Sequence, residues 1–327
     1  MPANLTPAYR DAEKTFREAK TPEEKLAALK RMLTTIPKHK GTDRLQGDIK
    51  RRIARLNDQI QTQSKKKGFS IKVEREGIGQ VVVVGPPNVG KSQLVGTLTG
   101  VEVDVAPYPY TTQRPVPAMM PYEDVLVQLV DLPPVCSTHT ESWLPNIVRT
   151  SDAALLIVDL ASPDVLDETE DCLSTLEEKK IRLVGEDPDQ EPWASVAEKK
   201  SRLVGTKLDA PDAAETWKIV QDLYGDRFET IAASPETGEG IEDLRLEIFR
   251  MLRVVRVYSK PPGHEPDKTK PFVLPEGSSL MDFARMVHHD FENNLKFARV
   301  WGHGKFDGQR ATKVYPLADG DVIELHA

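Results

Sequence analysis

The chain has 327 residues, of which 39% are hydrophobic and 29% charged, and its formal net charge is −7 at pH 7. Its longest apolar runs, such as Val81–Val84 and Ala153–Leu160, are far shorter than the roughly 18 residues that a transmembrane helix needs. The N-terminus lacks the apolar core of a signal peptide, and Cys136 and Cys172 stand in no metal-ligand spacing. These features exclude a membrane-spanning, disulfide-stapled or zinc-binding protein and favour a cytoplasmic one.

The charge is unevenly distributed along the chain. Met1–Lys67 contains 17 Lys and Arg against 8 Asp and Glu, whereas the remainder contains 27 against 43. Such a basic segment indicates either an anionic partner or the solvated face of a charged helical hairpin. A capping box with proline at the first helical position (Thr21–Glu24) starts one predicted helix, and a second follows the turn Lys38–Gly41. We expect the two helices to pair as a basic hairpin over residues 1–67.

Residues 68–254 alternate apolar strands with helices. The predicted strands are Gln80–Gly85, Val125–Asp131, Ala153–Asp159, Arg202–Thr206 and Thr230–Ala233. Helices such as Lys91–Thr99 and Ile241–Leu252 fall between or after them, and Gly185–Ala197 is interpreted as an acidic surface loop. This alternation is typical of a mostly parallel sheet covered by helices on both faces, so the predicted fold class is α/β.

The last segment, residues 255–327, is too short and too differently patterned to continue that sheet. Strands are predicted at Arg256–Ser259, Pro271–Leu274, Ala298–Trp301 and Asp321–Leu325. A helix begins after Ser279, between the second and third of these strands. This order suits a small β-grasp module. We expect Trp301 and Phe306 to belong to its core rather than to a base-stacking surface.

The sequence GPPNVGKS at Gly85–Ser92 matches the phosphate-binding pattern G-x-x-x-x-G-K-[ST], between a predicted strand and helix. The N–H groups of such a loop converge on phosphate oxygens, and the helix adds the positive end of its dipole. Lys91 is expected to bridge the β- and γ-phosphates, Ser92 to bind Mg²⁺, and Asp131, which ends a later strand, to hold Mg²⁺ through water. The expected nucleotide contacts in the loop are Gly85, Pro86, Pro87, Asn88, Val89, Gly90, Lys91, Ser92 and Gln93.

Two further strand ends indicate which base is bound. Thr206 begins the sequence TKLD, whose carboxylate, Asp209, can accept from both N–H groups on the guanine edge. Adenine cannot meet that demand. The apolar stem of Lys207 can lie over the base. A backbone N–H of Ala233 or Ser234, at the end of the last strand, is placed to meet guanine O6. The motifs therefore predict GTP and GDP rather than ATP.

These motifs support a resemblance over nearly the whole chain. Residues Gln80–Leu252 resemble a GTPase of the Obg superfamily. With Arg256–Ala327 added, the chain is similar to the developmentally regulated GTP-binding proteins, which end in a TGS domain. The stretches VYSKPPGHEPDKTKPFVLPEG, FARVWG and LADGDVIELHA carry that likeness, and IPKHKGTDRLQGDIKRRIARL resembles the family's basic helical preface. The resemblance implies a β-grasp (TGS) domain over 255–327, cytoplasmic action, and a ribosome or structured RNA as partner of the N-terminal hairpin and the TGS domain.

The resemblance also implies roles for two further positions. In the stretch YPYTTQR, Thr112 corresponds to the switch I threonine, with Thr111 as the alternative. Asn88 either helps to bind K⁺ beside the phosphates, as in K⁺-stimulated relatives, or only stabilises the turn. The implied catalytic residues are Lys91, Thr112 and Asp131. The implied metal ligands are Ser92, Thr112 and Asp131 for Mg²⁺, and Asn88 for K⁺.

The chain departs from the family pattern after Asp131. The expected Asp-x-x-Gly ends here in Pro134, and proline has no N–H to donate to the γ-phosphate. Losing one charge-assisted hydrogen bond forfeits on the order of 1.5–3 kcal/mol. Val135 stands where many GTPases keep a glutamine that positions water, and a hydrophobic residue there is usual in the Obg group. Thr206 replaces the commoner asparagine. We therefore expect slow GTP hydrolysis. The alternative is a degenerate, non-catalytic binding module, in which bound nucleotide only stabilises the fold and the two flanking domains carry out the function.

Overall fold

The computed structural model describes residues 12, 14–16, 22–36, 49, 51, 53, 72–101, 114–138, 140–188, 195–304 and 306–326. The chain forms two compact units, Met1–Ser70 and Ile71–Ala327. Among the described residues, no helix is both long enough and apolar enough to cross a lipid bilayer.

The first unit contains helix α1 (Pro22–Thr35), where the capping box places it. Residues 49, 51 and 53 are also helical, within the segment predicted as the second helix. The turn predicted at Lys38–Gly41 and the capping residue Thr21 lie outside the described residues. A small buried cluster joins the two helical segments, and its members are Ala12, Leu29, Met32, Ile36 and Ile49.

The second unit begins with an α/β domain, as the alternating pattern predicts. Its strands are β1 (Gln80–Val84), β2 (Val116–Tyr122), β3 (Val125–Asp131), β4 (Ala153–Asp159), β5 (Ile181–Val184), β6 (Ala197–Thr206) and β7 (Glu229–Ala232). Its helices are α2 (Lys91–Thr99), α3 (Leu144–Thr150), α4 (Val165–Glu178), α5 (Ala213–Tyr224) and α6 (Ile241–Met251).

The sheet has the order β2-β3-β1-β4-β6-β5, and β7 also pairs with β6. Strand β2 runs antiparallel to β3, and the other pairs are parallel. The run of valines in β1 explains why helices cover both faces, because alternate side chains point to opposite sides. Val82 and Val84 enter one buried cluster, and Val81 and Val83 enter the other. The parallel strands consequently bring their carboxyl ends, and the predicted site residues, to one edge.

The chain continues into a second, smaller sheet that has the predicted β-grasp order. Its strands are β8 (Val254–Ser259), β9 (Phe272–Pro275), β10 (Phe297–Trp301), β11 (Gln309–Ala311) and β12 (Asp321–His326), in the order β11-β10-β12-β8-β9. Helix α7 (Leu280–Val287) packs on one face and is followed by the short α8 (Phe291–Asn294). The α7 N-terminus is fixed by a capping box between Ser279 and Asp282.

Strands β2 and β5 (Ile181–Val184) are absent from the sequence-based prediction, and β6 is longer than predicted. Strand β2 contains Pro117 and Pro121, which argue against a strand, but β2 lies at the edge of the sheet, where proline is tolerated. Strand β6 begins at Ala197 rather than Arg202, because its first residues pair with β5. The interpretation of Gly185–Ala197 as a loop is therefore wrong at Ala197, and residues 189–194 lie outside the description.

The expectation that Trp301 and Phe306 belong to the β-grasp core is also wrong. Ala298 and Val300 of β10 lie in the buried cluster. Trp301 lies on the opposite face of the strand, together with Arg299. Trp301 is half-buried, and Phe306, in the turn after β10, is 67% exposed. The core is built instead from residues such as Phe283.

Arg256 of β8 joins the β-grasp module to the α/β domain, and its side chain is only 8% exposed. Its guanidinium donates to both carboxylate oxygens of Asp319 within the module, at 3.0 and 2.7 Å. It also donates to Asp124 at 2.9 Å and to Glu123, both in the turn between β2 and β3. The Tyr258 hydroxyl donates to the other Asp124 oxygen at 2.5 Å. One buried cation thus connects three carboxylates from two modules.

Replacing this cation should destabilise the second unit. Arg256→Met keeps much of the apolar stem but leaves three carboxylates without their shared partner, and their partial exposure reduces the cost. We expect a loss of about 2 kcal/mol, or about 4–8 °C in the unfolding temperature measured by calorimetry. Arg299→Met, at an exposed position of the same module, is the matched control and should change little. Equal effects of the two substitutions would contradict the role of Arg256.

Candidate nucleotide site

The loop between β1 and α2 has the backbone conformation of a phosphate cradle. At Gly85 an added Cβ would lie 2.5 Å from the Ile157 carbonyl oxygen, so only glycine fits. Asn88 and Gly90 have left-handed φ values of 62° and 85°. Left-handed residues within such a turn curve the backbone N–H groups into a concave anion site. Asn88 is exposed and Val89 is buried, so the loop is packed into the protein at Val89 and open to solvent at Asn88.

Lys91 is the buried cation of this loop, with 7% of its surface exposed. Its Nζ donates to the carbonyl oxygen of Pro86 at 2.6 Å and to that of Gly85 at 3.1 Å. Burial lowers the pKa of Lys91 to about 8, and the nearby Asp131 carboxylate only partly opposes that effect. Neutral carbonyl groups do not balance the charge of an ammonium, so the loop is built to receive an anion.

Ser92 and Asp131 meet beside Lys91, as the sequence predicts. The Ser92 hydroxyl donates to Asp131 Oδ2 at 2.5 Å. The other oxygen, Oδ1, is buried and has no hydrogen-bond partner among the residues that the structure describes. Burial raises the pKa of Asp131, while the Ser92 hydroxyl and the Lys91 ammonium act in the opposite direction. A buried, unpartnered carboxylate oxygen beside a hydroxyl forms the hard oxygen donor set that suits Mg²⁺.

The segment after Asp131 is held against strand β1 and the phosphate loop. The Leu132 N–H donates to the Val83 carbonyl at 3.3 Å, and the Val135 N–H donates to the Gly85 carbonyl at 3.1 Å. Pro134 is buried and has no N–H, and the Val135 side chain is fully buried in the core. In this conformation, residues 134 and 135 therefore offer no backbone donor toward a γ-phosphate, and Val135 offers no polar side chain toward attacking water.

The predicted base-reading residues gather on the loop after β6. Asp209 is exposed, and its Oδ1 accepts a hydrogen bond from the Ser234 hydroxyl at 2.5 Å. Lys207 has a left-handed φ of 59°, and its Nζ lies 2.5 Å from Asp159 Oδ2. The Thr206 hydroxyl lies 2.7 Å from the Val89 carbonyl oxygen of the P-loop. This contact ties the base-reading loop to the phosphate loop, although threonine replaces the commoner asparagine.

The Ala233 and Ser234 N–H groups, which were expected to meet guanine O6, are engaged within the protein. The Ala233 N–H donates to the Gly205 carbonyl at 2.8 Å, and the Ser234 N–H donates to the Glu239 carbonyl at 2.9 Å. The following residue is Pro235, which has no N–H. Ser234 instead orients Asp209 through its hydroxyl. The proline was visible in the sequence and was the available signal.

Some site residues were missed or lie beyond the description. Asp159 was not predicted, although it ends a buried strand beside the TKLD sequence in the same way as Asp131 ends β3. Gln93 is partly exposed at the start of α2, and its amide donates to Glu236 at 3.4 Å. The switch I candidates Thr111 and Thr112 lie outside the described residues.

Comparisons with known proteins agree with this geometry. Residues 80–186 match the family described as 50S ribosome-binding GTPase, and residues 255–327 match the TGS domain. An uncharacterized GTP-binding protein of Methanocaldococcus jannaschii is 26% identical over 93% of this chain and 92% of its own length. Developmentally-regulated G-protein 2 of Arabidopsis thaliana is 25% identical over 92% and 90%. Ribosome-interacting GTPase 1 of Saccharomyces cerevisiae is 25% identical over 93% and 99%.

The order of the two domains and the nearly full-length alignments with these relatives agree with the phosphate loop, the Ser92–Asp131 pair and the base-reading loop. The chain therefore has a GTPase domain of the 50S ribosome-binding GTPase family followed by a TGS domain, and over nearly its whole length it is similar to Obg-like GTP-binding proteins of the developmentally regulated type.

Proposed function

We propose that this GTP-binding protein is a slow GTP hydrolase that regulates a ribosome- or RNA-associated process in the cytoplasm. The observation that carries the proposal is the convergence of Lys91, Ser92 and Asp131 beneath the phosphate loop. The family description, 50S ribosome-binding GTPase, and the name of the yeast relative support the ribosomal side. The basic segment Met1–Lys67 and the TGS domain are the proposed contacts with ribosome or structured RNA.

In this proposal, catalysis is mostly positioning and charge stabilisation. Lys91 holds the β- and γ-phosphates, and its ammonium replaces two carbonyl contacts with stronger ones to phosphate. Ser92 and Asp131, together with Thr112 by family resemblance, would hold Mg²⁺, which neutralises charge on the phosphates when bound. A K⁺ ion at Asn88 belongs to the same proposal. Hydrolysis several-fold faster in K⁺ than in Na⁺, flattened by Asn88→Ala, would support it, whereas equal rates would leave Asn88 as a turn residue.

Two features of the segment after Asp131, which is the switch II region in GTPases, support slow turnover. Pro134 has no N–H, and the Val135 N–H is already engaged by the Gly85 carbonyl, so the γ-phosphate loses a backbone contact. The rival function, a nucleotide-propped module that does not hydrolyse GTP, is favoured by the same proline. The Lys91–Asp131 arrangement opposes it, because a purely structural nucleotide has no need of a buried metal ligand.

The guanine assignment is tested by Asp209→Asn. The new amide presents a donor where guanine also presents one, so we expect weaker GTP binding and a shift of preference to xanthosine triphosphate. Asp212→Asn is the matched control, because Asp212 lies in the same loop and its left-handed φ of 63° suits asparagine. Calorimetric titration with both nucleotides measures the effect. Wild-type GTP affinity in the Asp209 variant would remove it as the base reader.

At alkaline pH, nucleotide binding should be accompanied by protonation of Lys91. Its pKa in the nucleotide-free protein is about 8, and phosphate oxygens raise it, so affinity stays level below that pH and falls above it. Titrating GDP in buffers of different ionisation enthalpy should give a proton uptake that is larger at pH 8.5 than at pH 7.5. Lys199→Met, which removes another buried lysine, should leave these values unchanged. No difference between the two pH values would contradict the burial argument.

Restoring the missing donor should create a preference for the triphosphate. Pro134→Gly supplies an N–H at the position where relatives contact the γ-phosphate, so a non-hydrolysable GTP analogue should bind up to about 10–100-fold tighter while GDP is unaffected. The gain is reduced if glycine loosens the free loop. Pro133→Gly is the matched control, because it loosens the same buried segment without placing a donor at residue 134. A wild-type protein that already prefers the analogue strongly would contradict this explanation.

A further inference from the structure

The β-grasp sheet has one face toward its core and one face away from it. Ala298 and Val300 of β10 are buried, so Phe297, Arg299 and Trp301 lie on the outer face. The strand register places His326 opposite Phe297 and Arg310 opposite Arg299 on the same face. Lys260, just after β8, reaches this surface as well. We define these residues as the open face: Phe297, Arg299, Trp301, Arg310, His326 and Lys260.

The α/β domain covers only the part of this sheet that lies at β8. Arg256 and Tyr258 point to the outer side of β8, where both contact the turn between β2 and β3. Toward β10 and β11 the surface is accessible: Arg299 and Arg310 are exposed, and the aromatic residues are half-buried. This face of the sheet therefore contacts the α/β domain at β8 and is exposed to solvent at β10 and β11.

Planar side chains stand in a row across the open face. The rings of Phe297 and His326 are stacked with centroids 4.2 Å apart and an interplanar angle of 13°. The Arg310 guanidinium lies 4.5 Å from the centroid of the Phe297 ring. Lys260 lies 4.5 Å over the Trp301 ring. The row ends at the exposed guanidinium of Arg310, and such a plane is a surface on which a nucleobase can stack.

A cleft of about 340 Å³ opens beside the end of this row. Phe297 and Arg310 line it, together with two further cations, Lys296 and Lys313. Leu295, Ala298, Ala311 and Thr312 complete the lining, so the cleft is a mostly apolar recess next to Arg310 with two lysines among its lining residues. A planar group adjoining clustered cations is the arrangement that binds single-stranded nucleic acid.

The cations around the cleft are electrostatically uncompensated. Within the described part of the chain, no ion pair is made by Lys296, Arg299, Arg310 or Lys313. The acidic residue of the face, Glu324, is only 6% exposed and already accepts from Lys260 at 2.5 Å and contacts His326 at 2.6 Å. The face consequently attracts anions, although residues 255–327 contain ten Lys and Arg against ten Asp and Glu.

We infer that the open face and the adjoining cleft bind single-stranded RNA, with a base stacked on Arg310 and phosphates held by Arg299 and by the cleft residues Lys296 and Lys313. A single strand is specified because bases within a duplex cannot reach a stacking plane. This inference deepens the proposed function, because it gives the RNA partner a position on the TGS domain that is separate from the GTP site. A free inorganic phosphate would use the cations but not the planar row.

Fluorescence anisotropy on the full chain tests the inference with a labelled, mixed-sequence 12-nucleotide RNA and the corresponding duplex. The double variant R299A/R310A should weaken single-strand binding by about tenfold or more and reduce the slope of log affinity against log salt by about 1.4. Phe297→Leu should also weaken it, because it removes the ring against which the Arg310 guanidinium lies. The double variant K268A/K270A, with the same charge change at exposed residues off this face, is the matched control and should bind as wild type.

The basic segment Met1–Lys67 can also bind RNA, so the contact itself must be located. RNA that contains 4-thiouridine should crosslink to the peptide containing Phe297 and Trp301, as mapped by mass spectrometry. Crosslinks confined to Met1–Lys67, equal weakening by K268A/K270A, or tighter binding of the duplex would overturn the inference. GTP hydrolysis by each variant is measured in parallel. Loss of RNA binding with normal hydrolysis bears on this face alone, whereas absent hydrolysis with intact RNA binding bears on the proposed function alone.

Discussion

The ammonium of Lys91, buried against the Gly85 and Pro86 carbonyls, is the interaction on which the nucleotide site depends. Burial makes this charge costly unless an anion arrives, and the same burial fixes its position to within hydrogen-bond distance of the loop. The Gly85 carbonyl also accepts from the Val135 N–H, so one oxygen links the phosphate loop to the start of switch II. The hydrogen bond from the Thr206 hydroxyl to the Val89 carbonyl also connects the base-reading loop to the phosphate loop.

The contact between the TGS domain and the α/β domain lies at the start of β3, the strand that ends at the proposed metal ligand Asp131. Strand β3 runs from the turn held by Arg256 to Asp131, and β2 runs back from the region after switch I to that turn. Arg256 therefore attaches the TGS domain to the far end of the hairpin that borders the nucleotide site. The outer face of the TGS sheet is shared between this attachment and the proposed RNA surface, so one continuous framework connects the nucleotide site to that surface.

The sequence predicted the parts of the fold whose pattern is local. The valines of β1, the phosphate loop and the strand ends at Asp131 and Thr206 could be placed because periodicity and spacing determine them. It failed where pairing overrides local preference, as in the proline-containing edge strand β2. It also failed at Trp301, because an aromatic residue in a short strand does not reveal which face of the sheet it occupies. The engagement of the Ala233 and Ser234 N–H groups depends on the folded backbone and could not be predicted from pattern alone.

The central claim is that this site hydrolyses GTP, and multiple-turnover phosphate release in the presence of Mg²⁺ tests it most directly. The account predicts slow turnover, on the order of 10⁻³ s⁻¹, as for GTPases without a supplied arginine. Lys91→Ala sets the background, because it removes the buried cation of the loop. Phosphate release at that background from wild-type protein that still binds GTP would contradict the account and identify a nucleotide-propped module.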